Sequence, residues 1–189
     1  KMIKTDNSLI NKSKRFAKSR HKNQTRKDGK TPYINHLQMV VNLIKKSGVT
    51  DNNIQSIGWL HDTIEDTPTD FDEIKDKFGL HIAKCVAALT KDMRIEKQKR
   101  ERFYVKGLKK AHWHVKLVKI CDITANILDL ENTSYSKKER INHWKGKKPY
   151  LIAIKHGLIK NNKKIPGLKI IFNDLNYGLA KFGQSPVSI

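Results

Sequence analysis

The stretch Val115–Leu128 has the sequence VKLVKICDITANIL and would be apolar on nearly every face of a helix. It is shorter than the roughly 20 residues that cross a bilayer, so it belongs at the centre of a soluble helical protein. Helical periodicity continues on both sides of it, and no segment alternates polar and apolar residues as a strand does. We therefore predict an all-α fold, a helical bundle that forms one domain over residues 1–189.

The same periodicity, together with helix start and stop signals, predicts the other helices. Pro32 suits a first helical turn and Thr69 suits an N-cap, whereas Gly146 and Pro149 are expected to interrupt the helix that contains them. We expect helices over residues 7–22, 33–44, 51–65, 70–78, 81–89, 95–111, 113–130, 137–159 and 168–182.

Composition narrows the classes of function. The chain has 189 residues, 38% of them hydrophobic, which excludes a disordered or fibrous protein. Without a long apolar run or a signal-peptide pattern, we expect a cytoplasmic protein with no membrane contact. A formal net charge of +21 indicates an anionic partner, which could be nucleic acid, a membrane surface or a phosphorylated small molecule. Cys85 and Cys121 lie in apolar helical patterns and are predicted to be reduced, buried thiols.

Three polar side chains are predicted on helix faces that should be apolar, namely His36, His61 and Asp122, and Asp62 directly follows His61. Burying an ionised carboxylate in such a place costs several kcal/mol unless a cation pairs with it. Asp122 therefore either pairs with a lysine or arginine or binds a metal. A single buried histidine is more often a hydrogen-bonded core residue than a ligand. Two imidazoles with two carboxylates, however, suit manganese, iron or zinc with positions left open for water.

More polar groups follow one helical turn after these residues. Glu65 and Asp66 lie four positions after His61 and Asp62, and Asn126 lies four after Asp122. Carboxylates beside a metal-bound water suit hydrolysis, because one can hold or deprotonate the water while the other assists the leaving group. Without a metal, Glu65 and Asp66 are equally well explained as solvated residues at a helix end.

Several blocks of sequence, in order, resemble the hydrolase domain of RelA/SpoT proteins, within the HD superfamily of metal-dependent phosphohydrolases. The similarity covers residues 14–130 well, while the C-terminal helices over 131–189 match poorly. The short chain is similar to stand-alone small alarmone hydrolases and metazoan SpoT homologues. The blocks are RKDGKTPYINH (26–36), LHDTIEDT (60–67), FG (78–79), LT (89–90) and VKLVKICD (115–122).

The resemblance implies an enzyme that removes the 3′-pyrophosphate of (p)ppGpp and yields GDP or GTP. It implies one divalent ion, usually Mn²⁺, with Zn²⁺ or Fe²⁺ possible. Glu65 and Asp66 are then expected to handle the nucleophilic water and the leaving pyrophosphate. The implied metal ligands are His36, His61, Asp62 and Asp122.

The resemblance also implies nucleotide contacts from Arg26, Lys27 and Asn126. For the clamp that shares the phosphate charge, we add Arg100 and Arg102, although plain solvation explains those two arginines equally well. The partner is therefore expected to be a small nucleotide.

The chain also departs from the family pattern. Leu37 stands where a proline is usual, Trp59 adds bulk before the His-Asp pair, and Ile123 replaces a basic residue. After residue 130, Arg140, His143, Trp144, Lys147 and Tyr150 lie where the family places phosphate and base contacts, but at a different spacing.

These departures leave alternatives open. One is an HD-type phosphatase of another phosphorylated nucleotide, such as NADPH. Another is a basic nucleic-acid-binding or nuclease HD protein, which the net charge favours but which lacks an arginine-rich recognition helix or a motif of stacking aromatics. A helical scaffold without catalysis leaves the four candidate ligands unexplained.

Overall fold

The computed structural model describes residues 8–189, so the first residues of the predicted domain, and residue 7 of the first predicted helix, lie outside the described part. The prediction of an all-α fold is confirmed: between residues 8 and 189 the only β-type pairing is an isolated bridge between Thr25 and Pro32. The helices are α1 (Ser8–Arg20), α2 (Ile34–Lys46), α3 (Asn52–Leu60), α4 (Thr63–Asp66), α5 (Phe71–Phe78), α6 (Leu80–Leu89), α7 (Lys97–Lys110), α8 (Trp113–Leu128), α9 (Lys137–Lys160) and α10 (Leu168–Ala180).

Helix α8 lies at the centre of the bundle. It packs against α2, α3, α6, α9 and α10, and 12 of its 16 residues are buried. The hydrophobic core is one continuous cluster that takes residues from α1 through α10. A helix that is apolar all round thus has neighbours on every side, and the polar side chains it carries are forced into the interior.

The predicted helix over 51–65 is in fact two helices. Helix α3 ends at Leu60 and α4 begins at Thr63, with His61 and Asp62 in the turn between them. Asp62 has φ −100° and ψ −2°, which departs from α-helical values, and the Thr63 hydroxyl donates a hydrogen bond to the carbonyl of Leu60 at 2.6 Å. The hydroxyl thereby competes with the main-chain ladder and helps to end α3 beside the two candidate ligands.

The expected interruption of the helix over 137–159 is wrong, because α9 runs unbroken for 24 residues. Proline 149 cannot donate to the carbonyl of Lys145, but Lys145, Gly146 and Pro149 are all exposed, so water can satisfy that carbonyl. A capping box between Ser136 and Glu139 fixes the start of the helix.

Two local predictions are also corrected. The N-cap of α5 is Asp70 rather than Thr69, since its carboxylate accepts a hydrogen bond from the backbone N–H of Glu73 at 2.8 Å. Pro32 lies in the bridge to Thr25, two residues before α2, rather than in the first helical turn. Cys85 and Cys121 are free and buried, as predicted. No helix within residues 8–189 has both the length and the apolar composition needed to cross a membrane.

Candidate metal and phosphate site

The four candidate ligands converge in the structure, and we call them the ligand centre: His36, His61, Asp62 and Asp122. One ligand atom each from His36, His61 and Asp62 lies within 4.8 Å of the other two. Oδ1 of Asp122 lies 3.3 Å from Nε2 of His36 and 3.8 Å from Nε2 of His61. Residues from three separate parts of the chain therefore point their donor atoms at one small volume.

Close packing of α3 on α2 brings the two histidines together. His36 lies in the first turn of α2, and His61 follows the end of α3. Between these helices, a Cβ added at Gly58 would lie 2.6 Å from Cδ1 of Ile44 and 3.1 Å from Cγ2 of Val41. A side chain at position 58 would separate the helices, so glycine is needed there for the close approach.

The donor set of the ligand centre fits a divalent metal ion. Nδ1 of His61 donates to the carbonyl of Gly58 at 2.8 Å, which leaves Nε2 unprotonated when the ring is neutral. That Nε2 is buried and has no hydrogen-bond partner, although Oδ2 of Asp62 lies only 3.0 Å away. Imidazole nitrogens with carboxylate oxygens suit manganese, iron or zinc, so these residues can hold such an ion.

The electrostatics of the ligand centre also favour a cation. Burial acts to lower the pKa of His61, but the negative charges of Asp62 and Asp122 raise it to about 10. Burial lowers the pKa of His36, which keeps that ring neutral. The two carboxylates therefore attract positive charge, which a proton on His61 supplies when no metal does.

Two alternatives were predicted for Asp122, an ion pair or a metal. It forms the ion pair, and its second oxygen also faces the histidines. Its Oδ2 accepts a hydrogen bond from Nζ of Lys119 at 2.9 Å, and Asn126 Nδ2 donates to Oδ1. Burial acts to raise the pKa of Asp122, but Lys119, His36 and His61 hold it well below its usual range. One oxygen is thus neutralised within α8, while the other remains directed at the ligand centre.

Glu65 and Asp66 lie beside the ligand centre, and Tyr33 connects Asp66 to it. The Tyr33 hydroxyl donates toward Oδ2 of Asp62 at 2.7 Å and Oδ2 of Asp66 at 3.1 Å. Oε2 of Glu65 accepts from the backbone N–H of Lys91 at 2.7 Å. Burial, followed by the charge of Asp62, raises the pKa of Asp66, and burial raises that of Glu65. Carboxylates with raised pKa values are suited to exchanging protons near neutral pH.

The cavity at the ligand centre is also lined by a group of cations and a histidine that we call the basic wall: Arg26, Lys27, His143 and Lys147. Arg26 is fixed by hydrogen bonds from Nε to Asp129 at 2.9 Å and from Nη2 to Asn126 at 3.0 Å. Lys27 Nζ lies 3.1 Å from Nδ1 of His143. Helix α9 therefore supplies half of this wall.

The positive charges of the basic wall repel one another. Burial and the neighbouring Lys119, Lys91 and Lys27 lower the pKa of Lys147 to about 8, against the opposing charge of Asp122. Burial and the charges of Lys27 and Lys147 lower the pKa of His143 to about 4. A bound anion would relieve this repulsion, so the wall is suited to phosphate groups.

The two groups share one cavity of about 220 Å³. Glu65, Asp66, Arg26, Lys27 and Asn126 all line it, together with three members of the ligand centre. Arg100 and Arg102 do not. Arg100 lies in a neighbouring cleft, where its Nη1 donates to the carbonyl of Ile95 at 3.3 Å, and Arg102 lies in a groove between α7 and α9.

Sequence reasoning missed several residues that line the cavity, among them Lys91, Tyr104 and Lys119. Lys119 carried a usable signal, because a lysine three residues before Asp122 lies on the same side of a helix that is otherwise apolar. Lys91 and Tyr104 gave no such signal. Lys91 follows a predicted helix end, and Tyr104 is placed by the packing of α7 against α6 and α9.

Comparisons with known proteins agree with this geometry. The family model of the HD domain matches residues 14–146. The guanosine-3′,5′-bis(diphosphate) 3′-pyrophosphohydrolase MESH1 of Xenopus tropicalis is 37% identical over 131 residues, which are 68% of this chain and 73% of the frog protein. The human protein of the same name is 38% identical over 117 residues, covering 61% of this chain and 65% of its own length.

The fold agrees as well. A solved structure of a metazoan ortholog of SpoT, described as hydrolysing ppGpp, superimposes with a TM-score of 0.78 at 25% sequence identity. The superposition covers 93% of this chain and 96% of that one. The chain therefore belongs to the HD domain family, in the group that contains the MESH1 and SpoT-type proteins.

Proposed function

We propose that this chain is a metal-dependent guanosine-3′,5′-bis(diphosphate) 3′-pyrophosphohydrolase, which converts (p)ppGpp to GDP or GTP and pyrophosphate. The observation that carries this proposal is that the ligand centre and the basic wall line one and the same cavity. Relatives that share 37–38% of the aligned sequence bear the name of this activity.

His36, His61, Asp62 and Asp122 are the residues that would hold the ion, and we propose Mn²⁺, with Zn²⁺ or Fe²⁺ as alternatives. When bound, such an ion lowers the pKa of a coordinated water toward neutrality and neutralises charge on the phosphoryl oxygens. The chain orients the ligands for this task through the hydrogen bond from His61 to Gly58 and the ion pair between Asp122 and Lys119.

Glu65 is the proposed general base. Its Oε2 is held by the N–H of Lys91, which leaves Oε1 to accept a proton from the attacking water. Burial raises the pKa of Glu65, which favours its taking up the proton. Asp66, held by Tyr33, is the proposed group that assists the departing pyrophosphate.

The basic wall is proposed to bind the phosphate groups. Arg26 is buried and held by Asp129, so its guanidinium is oriented before the substrate arrives. Lys27 and Lys147 bring positive charge from two elements that are more than 100 residues apart in sequence. Asn126, next to Arg26, is the proposed contact to the nucleoside.

We also propose that residues 1–189 form a single cytoplasmic hydrolase domain. The core runs without interruption from α1 to α10, and α9 contributes side chains to the cavity. The charge of +21 is then mainly a means of attracting an anionic nucleotide rather than nucleic acid.

A nucleotide panel tests the function. The purified protein, stripped with a chelator, is reloaded separately with Mn²⁺, Zn²⁺, Fe²⁺ or Mg²⁺ and incubated with ppGpp, pppGpp or NADPH. We expect GDP and pyrophosphate from ppGpp, fastest with Mn²⁺. Orthophosphate from NADPH without turnover of ppGpp would replace this proposal with an NADPH phosphatase. Salt-dependent RNA or DNA binding without hydrolysis of any nucleotide would favour a nucleic-acid-binding protein.

A further inference from the structure

A second group of side chains that can bind metal lies at the start of α8. We call it the histidine cluster, and it consists of His81 and Cys85 on α6 with His112 and His114 at the start of α8. Nε2 of His81 lies 2.9 Å from Nδ1 of His114 and 3.8 Å from Sγ of Cys85. The ring of His112 has its centroid 4.3 Å from that of His114 and 5.9 Å from that of His81.

The histidine cluster is separate from the ligand centre. His114 precedes Asp122 by eight residues of the same helix, which is ~12 Å along the axis. None of the four residues of the cluster lines the cavity between the ligand centre and the basic wall. These four side chains therefore have no role in the proposed hydrolysis.

Two of the donor separations are close to those of a tetrahedral zinc site. Within residues 8–189 only the ligand centre already has three donor atoms within 4.8 Å of one another, so the histidine cluster has to close around an ion by rotation of its side chains. Zinc–nitrogen bonds of ~2.0 Å and a zinc–sulfur bond of ~2.3 Å place two nitrogen ligands ~3.3 Å apart and a nitrogen and a sulfur ~3.6 Å apart. The observed separations of 2.9 Å and 3.8 Å need only small side-chain adjustments to reach these values.

His112 is placed to complete such a site. Its Nδ1 accepts a hydrogen bond from the backbone N–H of His114 at 3.4 Å, which leaves Nε2 as the free nitrogen. The side chain is exposed, as is that of His81, so rotation of the ring costs little packing. Cys85, one turn after His81, is buried and fixed by α6.

The imidazoles are also in the protonation state that binds metal. Burial, followed by the neighbouring His112 and His81, lowers the pKa of His114 to about 4. Burial and His81 likewise lower the pKa of His112. Both rings are neutral at pH 7, and a neutral imidazole offers a lone pair to a metal ion.

We propose that His81, Cys85, His112 and His114 form a second metal site of the protein, selective for Zn²⁺. Three imidazoles with one thiolate are a softer donor set than the two imidazoles and two carboxylates of the ligand centre, and zinc suits such a set. Binding forms a zinc–sulfur bond as the Cys85 thiol loses its proton to solvent. The site connects the start of α8 to α6 and is structural.

Cobalt provides a direct test, because a thiolate bound to Co²⁺ gives a charge-transfer band in the near ultraviolet that a site without sulfur cannot give. The chelator-treated full-length protein is titrated with Co²⁺ and then with Zn²⁺. We expect the band to appear in the wild-type protein and to bleach when Zn²⁺ displaces the cobalt. Cys85→Ala should remove it, whereas Cys121→Ala, which changes the other buried thiol, should keep it.

Two further variants test the proposal even if Cys85→Ala misfolds. His81→Ala and His114→Ala keep the thiol, and we expect each to raise the Co²⁺ concentration at half-saturation of the band at least ~10-fold. Helical content measured by circular dichroism is the check on folding. Absence of the band in the wild-type protein, its survival in Cys85→Ala, or unchanged cobalt affinity in both histidine variants would each overturn the proposal.

Discussion

The ligand centre and the basic wall line one cavity, but they are constructed in opposite ways. The ligand centre holds two carboxylates against two histidines, and Lys119 pairs with only one oxygen of Asp122. The basic wall gathers Arg26, Lys27 and Lys147 with Asp129 as the acid that pairs with Arg26. The first group is therefore suited to hold a cation permanently, and the second to hold an anion that comes and goes.

The largest effect is expected from a substitution that removes a ligand from the ligand centre. Asp122→Asn keeps an acceptor for Lys119 but removes the charge, so we expect metal affinity to fall by more than ~100-fold, since even partners of ligands cost 10–100-fold. Turnover of ppGpp should be lost with the metal. Metal analysis after gel filtration and a pyrophosphate-release assay measure both. Asp174→Asn, which changes an aspartate paired with Lys46 on the surface, is the matched control.

The second prediction separates metal binding from catalysis. In Glu65→Gln the amide oxygen can still accept from the N–H of Lys91, so the fold and the metal should be retained. Loss of the general base should lower kcat by ~10²- to 10⁴-fold. Rate measurements at saturating Mn²⁺ and ppGpp test this. Unchanged kcat would assign the water to another residue, and Asp66 would be the first to examine.

The third effect concerns the basic wall alone. Lys147→Ala should leave the bound metal unchanged and lower kcat/KM for ppGpp by ~10- to 100-fold, as expected for one hydrogen bond to a charged group of ~1.5–3 kcal/mol. Lys148→Ala, on the exposed side of the same helix, is the matched control and should change kcat/KM little. Equal effects of the two variants would mean that Lys147 acts through general attraction rather than through contact.

The smallest effect is on stability and follows from the lowered pKa of Lys147. The folded pKa of about 8 lies below the ordinary value of 10.5, so the unfolded chain binds more protons between these pH values. The charged lysine therefore destabilises the native state at pH 7, and this cost decreases as the pH rises from 8 toward 10.5. Because the side chain is only half-buried, we expect Lys147→Met to stabilise the metal-free protein by ~1 kcal/mol at pH 7.

Urea unfolding of the chelated, substrate-free protein at pH 7 and pH 10 measures this difference. The gain from Lys147→Met should shrink at pH 10, which separates the charge effect from any gain in packing. Lys148→Met should show no such dependence on pH. A gain that is equal at both pH values would show that the basic wall stores no electrostatic repulsion at Lys147.

The sequence predicted the ligand centre far better than the basic wall, for a physical reason. His36, His61 and Asp122 are polar groups in apolar helical patterns, and such a conflict is visible in the sequence because it is costly unless it serves a purpose. Lysines are the opposite case: a chain with 39 lysine and arginine residues gives no local sign of which ones turn inward. Arg100 and Arg102, chosen for their position in a basic helix, lie outside the cavity, whereas Lys91 and Lys119 line it.

The histidine cluster shows the same limit. His112 and His114 are neighbours in sequence, but nothing in the sequence pairs them with His81 and Cys85, which precede them by about 30 residues. Only the packing of α6 against α8 brings these four side chains together.

By itself, the sequence determined the helical fold, the central position of α8, the four candidate ligands and the family. These features follow from periodicity and from the cost of burying polar groups, which act within a helix or along a motif. The tertiary structure decided which cations line the cavity with the ligands, that α9 brings His143 and Lys147 to that cavity, and that Asp122 pairs with Lys119 while facing the histidines. Those outcomes depend on distances between helices, which local residue patterns do not encode.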